Sequence, residues 1–144
     1  MRKFKGIEVD EKKVTIVTDR RGTTHIYDKN GNDIYHENSD GYWGKSEYDK
    51  NGNEIYFENS YGRWTEFVYN ENGKLIYCKD SEGRWTKYKY NENGKLIYYK
   101  ESDGYWLKYE YDKNGNRIYR EESSGEWKKW EYDENGKLIN HRCG

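Results

Sequence analysis

The chain has 144 residues, with 26 Lys and Arg against 27 Asp and Glu, a formal charge of -1 that excludes both a strongly basic nucleic-acid binder and an acidic DNA mimic. Ile, Leu, Val and Phe supply only 20 of the 144 residues, whereas 17 Tyr and 6 Trp bring the aromatic share to 18%. With no Ala, no Pro and 15 Gly, the composition disfavours helix and favours a pleated, aromatic-rich surface over a thin core.

In chain order, Met1-Arg2-Lys3-Phe4-Lys5 is basic but precedes no apolar run, so no secretory leader and no membrane association is expected. A cytoplasmic location, in a bacterial host, follows as the expectation, with Cys78 and Cys143 as free thiols. Residues 1–20 form an aliphatic hairpin: Ile7 and Val9 on one side of Asp10-Glu11-Lys12-Lys13, and Val14, Ile16 and Val17 on the other. This atypical first unit predicts an N-terminal cap that covers an open sheet edge.

From residue 21 the chain is a tandem repeat. Tyr27, Tyr48, Tyr69, Tyr90, Tyr111 and Tyr132 recur every 21 residues, each followed by Asp or Asn. Gly31, Gly52, Gly73, Gly94, Gly115 and Gly136 keep the same phase, as do Ile34, Ile55, Ile76, Ile97, Ile118 and Ile139. A second Gly at 41, 62, 83, 104 and 125 precedes Trp43, Trp64, Trp85, Trp106 and Trp127 by two residues. Each unit reads as two strands and two turns, one Asn-Gly and one Ser-x-Gly. Connections this short make the strands antiparallel. The fold class is therefore all-β: a single domain over 1–144, with a capping hairpin at 1–20 and six 21-residue β-hairpin repeats at 21–144, the last incomplete. It is an antiparallel meander of about 12 to 14 strands, in an open, twisted or curled sheet.

Strand alternation sorts the side chains into two faces. Phe67 shares a face with Tyr69, and Tyr88 with Tyr90, while Trp85 lies opposite with Lys87 and Lys89. Two hairpin registers remain open. If Asn-Gly are the two central turn residues, Tyr69 pairs with Ile76, and Ile joins the twin aromatics on the better buried face. A three-residue loop with a G1 bulge shifts the register by one and reverses that assignment. Under the first, preferred register, Ile55, Ile76, Ile97 and Ile118 with Tyr69, Tyr90 and Tyr111 are the expected core.

The motif Tyr-Asp-x-Asn-Gly, followed about ten residues later by Gly and then by the next Tyr-Asp, resembles the YD repeats of Rhs and teneurin proteins. The tandem form from Glu58 to Gly94 is similar to short free-standing repeat proteins of bacteriophages and low-GC bacteria, and more weakly to MORN-type repeats. The resemblance covers Tyr27 to Gly136. It implies a β-rich scaffold without catalysis by the repeats, and it carries over no catalytic residue. Long Rhs arrays close into a shell, for which six units are too few. A phage or mobile-element origin also follows from the resemblance.

No enzyme is expected, no cofactor and no metal. His25, His36 and His141 fall at unrelated repeat positions, and His141 with Cys143 supplies only two ligands. The recurring glycines are spaced for turns, not for a phosphate loop. The feature with a functional argument is the aromatic row. Trp43, Trp64, Trp85, Trp106 and Trp127 sit on alternate strands, roughly 10 Å apart at twice the strand spacing. Tyr56, Tyr77 and Tyr98, with Arg63 and Arg84 directly before two of the Trp, complete the candidate partner-binding set. The expected function is a non-enzymatic protein-interaction module working through an aromatic sheet face or edge. In its most concrete form this is a phage-encoded inhibitor of a host defence complex, an anti-CRISPR or similar counter-defence protein, with a host protein or ribonucleoprotein as partner. The alternatives are a carbohydrate or cell-wall binder and a single-stranded nucleic-acid binder, since Lys87, Lys89, Lys108, Lys128 and Lys129 interleave with the rings.

Overall fold

A computed structural model describes residues 1–144. From Gly22 onward its chain reversals share one turn. In the loop after Tyr27, the Asp28 N–H donates to the Asn32 carbonyl (2.9 Å), and the Asp28 carbonyl accepts from the Gly31 N–H (3.1 Å). The Asp28 carboxylate then accepts from the N–H groups of Asn30 (2.8 Å) and Asn32 (3.0 Å). A side chain that satisfies backbone donors inside its own turn is the reason Asp and Asn hold this position. The fourth residue is Gly at positive φ, 85° at Gly31, where a Cβ would meet no neighbouring atom. Backbone conformation, not space, therefore selects Gly there. The Ser-x-Gly loops, read from sequence as a second turn type, have the same geometry: Asn38 binds the N–H groups of Asp40 and Tyr42, and Gly41 donates back to Asn38.

These turns connect the last thirteen of fifteen strands, with no helix, in an antiparallel hairpin meander. The chain forms two compact units, residues 1–83 and 84–144. The first holds β1 (Arg2–Lys3), β2 (Glu8–Val9), β3 (Thr15–Thr18), β4 (Thr24–Tyr27), β5 (Asp33–Glu37), β6 (Trp43–Tyr48), β7 (Glu54–Asn59), β8 (Trp64–Tyr69) and β9 (Leu75–Asp80). From β3 onward each strand pairs with its sequence neighbour. The second unit holds β10 (Trp85–Tyr90), β11 (Leu96–Glu101), β12 (Trp106–Tyr111), β13 (Arg117–Glu122), β14 (Trp127–Tyr132) and β15 (Leu138–Cys143), again paired in sequence order.

The register combines both sequence expectations. Val68 pairs with Tyr77 and Phe67 with Cys78, as a two-residue Asn-Gly turn demands, but Tyr69 pairs with Leu75. The turn itself is the longer bulged form, and a second irregularity leaves Ile76 without an opposite residue. The two extra residues compensate, so Tyr77 keeps the face of Trp64 and Glu66 while Phe67 and Tyr69 keep the other. The glycine spacing alternates between 10 and 11 residues from Gly31 onward. The recurring Tyr ties one repeat to the one before: the Tyr48 hydroxyl donates to the Asp33 carbonyl (3.1 Å), and the Tyr111 hydroxyl to that of Leu96 (2.9 Å). Phe could not make this bond.

The core lies elsewhere than expected. Ile55 is 36% exposed and Ile139 63%, while the buried residues are Val9, Ile26 and Tyr35, at 6%, 0% and 1%. Ile76, Ile97, Ile118, Tyr69, Tyr90 and Tyr111 are half-buried. As the bulge residue, Ile55 lines an open depression with Glu47, Tyr56, Glu66, Phe67 and Val68. The N-terminal segment also differs from the expected hairpin. β1 pairs with β2, Asp10–Lys13 is the turn that follows them, and β3 pairs with β4. The small β1–β2 ribbon lies over a face of the sheet, not along its edge: Phe4, Ile7, Val14, Ile16, Ile34 and Trp43 pack around Val9, Ile26 and Tyr35. Full burial needs a second layer, and only this segment supplies one to the first strands.

Replacing Ile26 by Ala should therefore cost about 2–4 kcal/mol in urea unfolding, and Ile76→Ala less than half of that. A second expectation concerns acid. Hydrogen bonds from the Asn53 and Asn116 side chains, with those from turn N–H groups, hold the Asp49 and Asp112 carboxyls below the usual Asp range of 3.8. A carboxyl lowered by folding stabilises the native state above its unfolded pKa, and that contribution is lost as pH falls through the folded value. Melting temperature should thus be level above pH 4 and decline below it. Asp49→Asn with Asp112→Asn should shallow that decline, because Asn70 and Asn91 already close the same turn without a charge.

Candidate binding face

Alternation and register place one Trp and one Tyr of each repeat on the same face. Glu58 is opposite Trp64 and Tyr56 opposite Glu66, so Tyr56, Glu58, Trp64 and Glu66 project together. In the second unit Lys100 is opposite Trp106 and Tyr98 opposite Lys108. The diagonal Tyr and Trp stack: ring centroids are 6.3 Å apart at 21° for Tyr35 with Trp43, and 6.5 Å at 23° for Tyr98 with Trp106. Each Trp opens its strand, and in the first four its carbonyl accepts the N–H of a Ser in the loop after the following strand, as from Ser60 to Trp43 (2.9 Å) and from Ser102 to Trp85 (2.9 Å). The rings are thus fixed to the most regular part of the backbone.

The candidate residues do not share one environment. Trp43 is covered: its ring lies so close to Gly6 that a Cβ there would come within 2.7 Å of it. Lys5 reaches Glu37 across the same cover, Nζ to carboxylate 3.2 Å, and Phe4 sits 5.7 Å from the Tyr35 ring. Trp43 is half-buried, and it differs from the other Trp of the row in having the N-terminal segment against its ring. Trp64, Trp85, Trp106 and Trp127 are half-buried on their strands, as are Tyr56, Tyr77 and Tyr98. Trp127 exchanges backbone hydrogen bonds with Gly144, which lies beneath its indole. Arg63 and Arg84 are exposed in the loops before their Trp.

Lysines lie over the rings of the second unit. Lys87 is 4.9 Å from the Trp85 centroid, Lys89 5.8 Å from Tyr98, and Lys129 5.6 Å from Trp127 and 5.5 Å from Tyr119. Each is a cation–π contact that leaves the ammonium at the surface. The cross-strand charges between the Trp rows were not resolved by sequence reading, although the 21-residue period contains them. Lys45 faces Glu58 (3.1 Å) and Glu66 faces Lys79, but Lys87 faces Lys100.

On the opposite face the register joins two histidines that looked unrelated in sequence: His25 is directly opposite His36, their rings 6.1 Å apart. His25 Nδ1 is 2.7 Å from the Asp33 carboxylate. Cys78 lies opposite Phe67 and Cys143 opposite Lys128, both as free thiols.

Thirteen successive strands built on one turn, with aromatic rows as the recurrent side-chain feature, define a tandem β-hairpin repeat protein. No family profile matches the chain, and no curated protein matches it in sequence. Solved structures do match. Chains in the crystal structures of TcdB2-TccC3-TEV and TcdB2-TccC3-Cdc42 each align with a TM-score of 0.67 at 22% identity over 83% of this chain. The Photorhabdus luminescens Tc holotoxin pore aligns with a TM-score of 0.65, also at 22% identity over 83%. The alignment takes in 7% of each of those chains, so this chain spans a small fraction of their length. The likeness is one of fold, and it is consistent with YD-type repeats.

Burial, followed by a hydrogen bond to Glu37 (2.9 Å), pushes the Tyr35 phenol up to about 12. A group raised by folding stabilises the native state below its unfolded pKa near 10, and that stabilisation is lost as pH rises through the folded value. The cover over Trp43 should therefore loosen between about pH 10 and 12. Protease cleavage within residues 1–13 measures this, and Tyr35→Phe should shift the onset to higher pH.

Proposed function

We propose that this chain is a non-catalytic binding module that engages a partner protein through the Trp- and Tyr-bearing face of its repeats. The observation that carries the reading is the contrast along the row. The stacked pair Tyr35–Trp43 lies under the chain's own N-terminal segment, with Tyr35 buried and Trp43 half-buried, whereas Tyr98 and Trp106 form the same stack with both rings half-buried. A rigid aromatic surface of this kind is what interfaces concentrate, because Trp and Tyr offer large contact area at low entropic cost. The narrower form of the proposal, an inhibitor of a host defence complex encoded by a phage, draws on the resemblance to short phage repeat proteins. A sugar- or base-binding surface is the second reading. It is weaker in the second unit because lysine ammoniums already lie over Trp85 and Trp127.

The test separates scaffold from interface. Trp64→Ala and Trp85→Ala should each weaken binding of a partner captured from host lysate by more than about 1 kcal/mol while the array stays folded. Trp43→Ala should lower the melting temperature instead. Parallel loss of stability in all three, with no selective loss of affinity, contradicts the proposal.

A further inference from the structure

We propose that the Trp face of residues 84–144 takes an acidic, extended polypeptide segment, seated between Lys87 and Lys100 and beside the Tyr98–Trp106 stack. The inference rests on the preceding reading, that this face is the binding surface, and adds the chemistry of what it binds.

The chain contains its own example of a cover for this face. Over the first repeat the cover is a short extended segment, with Gly6 against the Trp43 ring and Lys5 on the Glu37 carboxylate. Tyr98, Lys100 and Trp106 hold the register positions of Tyr35, Glu37 and Trp43, and the two ring stacks agree within 0.2 Å and 2°. The platform is thus repeated while its charge is inverted. A segment that matches it carries a carboxylate where the N-terminal cover carries Lys5.

The cross-strand charges support the same sign. At this register position three hairpins set unlike charges opposite each other, Lys45 with Glu58, Glu66 with Lys79, and Lys108 with Glu121, and the first sets Thr24 opposite Glu37. Lys87 lies opposite Lys100, and Lys129 opposite Arg142. Like charges directly opposite in a sheet are destabilising, so these two pairs depart from the pattern. Six cations share this face of the second unit, Lys87, Lys89, Lys100, Lys108, Lys129 and Arg142, against Glu110, Glu121 and Glu131. Two of those carboxylates are already paired, Glu110 with Lys108 (3.3 Å) and Glu131 with Arg142 (3.2 Å). Single-stranded nucleic acid is the lesser candidate, because a stacking base must displace the ammoniums over Trp85, Tyr98 and Trp127.

A peptide of residues 2–10 carrying Lys3→Glu and Lys5→Glu is the probe, with the unaltered peptide and a fifteen-nucleotide oligo-dT as controls. Binding to the full chain is read by fluorescence anisotropy. The acidic peptide should bind at least tenfold tighter than the unaltered one. Lys100→Glu in the full chain should reverse that order and leave the melting temperature unchanged or raised, since it restores an unlike cross-strand pair. Equal affinity for the two peptides, or tighter binding of oligo-dT, overturns the inference. Trp106→Ala distinguishes the two levels of the argument. If it abolishes peptide binding while Lys100→Glu has no effect, the face is the binding surface and the acidic-segment inference falls. If neither variant changes peptide binding, both fall.

Discussion

The structure depends on one local constraint, a reversal that needs a carboxylate or amide at its first position and a positive φ at its fourth. The twelve glycines at positive φ, from Gly22 to Gly136, lie between 72° and 98°. No other residue type enters that region. A chain with so little aliphatic mass cannot rely on core burial to choose its strand ends, so hydrogen bonding inside each turn makes the choice. Asp28, Asn38 and Asn70 each close their turn from within, and the strands between turns need only be β-prone.

Identical turns raise a geometric problem that the Ile bulge resolves. Without an extra residue at Ile76, the longer turn would put Tyr77 on the face of Phe67 and Tyr69. With it, Trp and the second Tyr of each repeat share one face across every hairpin. The invariance of Ile in sequence reflects this position and not deep burial, since Ile55 and Ile139 are substantially exposed. The recurrent Tyr has a different function. Its hydroxyl reaches the carbonyl fifteen residues earlier, at Asp33 from Tyr48 and at Leu96 from Tyr111, joining repeats that otherwise meet only through the strand ladder.

Much of this was legible in the sequence. The 21-residue period set out the antiparallel meander, and alternation alone separated the Trp row from the twin aromatics. What was not legible came from interactions outside the period. The N-terminal ribbon folds over Ile26 and Tyr35 through contacts between non-repeating residues, so no spacing announced that Trp43 is covered or that Gly6 must be small. The two turn types looked different because one carries Asn-Gly and the other Ser-x-Gly. Their shared determinant, a polar side chain that binds its own turn, is written in several letters: it is the first residue at Asp28 or Asn38 and the third at Asp103 or Ser124. The Lys87–Lys100 pair was present in the period but needed the register to become a contact. That register was the quantity that the turn sequence left open.

The account holds that one recurrent Tyr–Trp stack has two fates, covered by the chain itself at Tyr35–Trp43 and open at Tyr98–Trp106. Fluorine NMR of protein labelled with 5-fluorotryptophan, with resonances assigned by single Trp→Phe variants, measures this most directly. Solvent-induced shifts between light and heavy water should be small for Trp43 and clearly larger for Trp64, Trp85 and Trp106. Deleting residues 1–9 should bring the Trp43 shift up to the others while theirs stay fixed. Equal solvent shifts at all four positions in the intact chain, or no response of Trp43 to the deletion, would contradict the account.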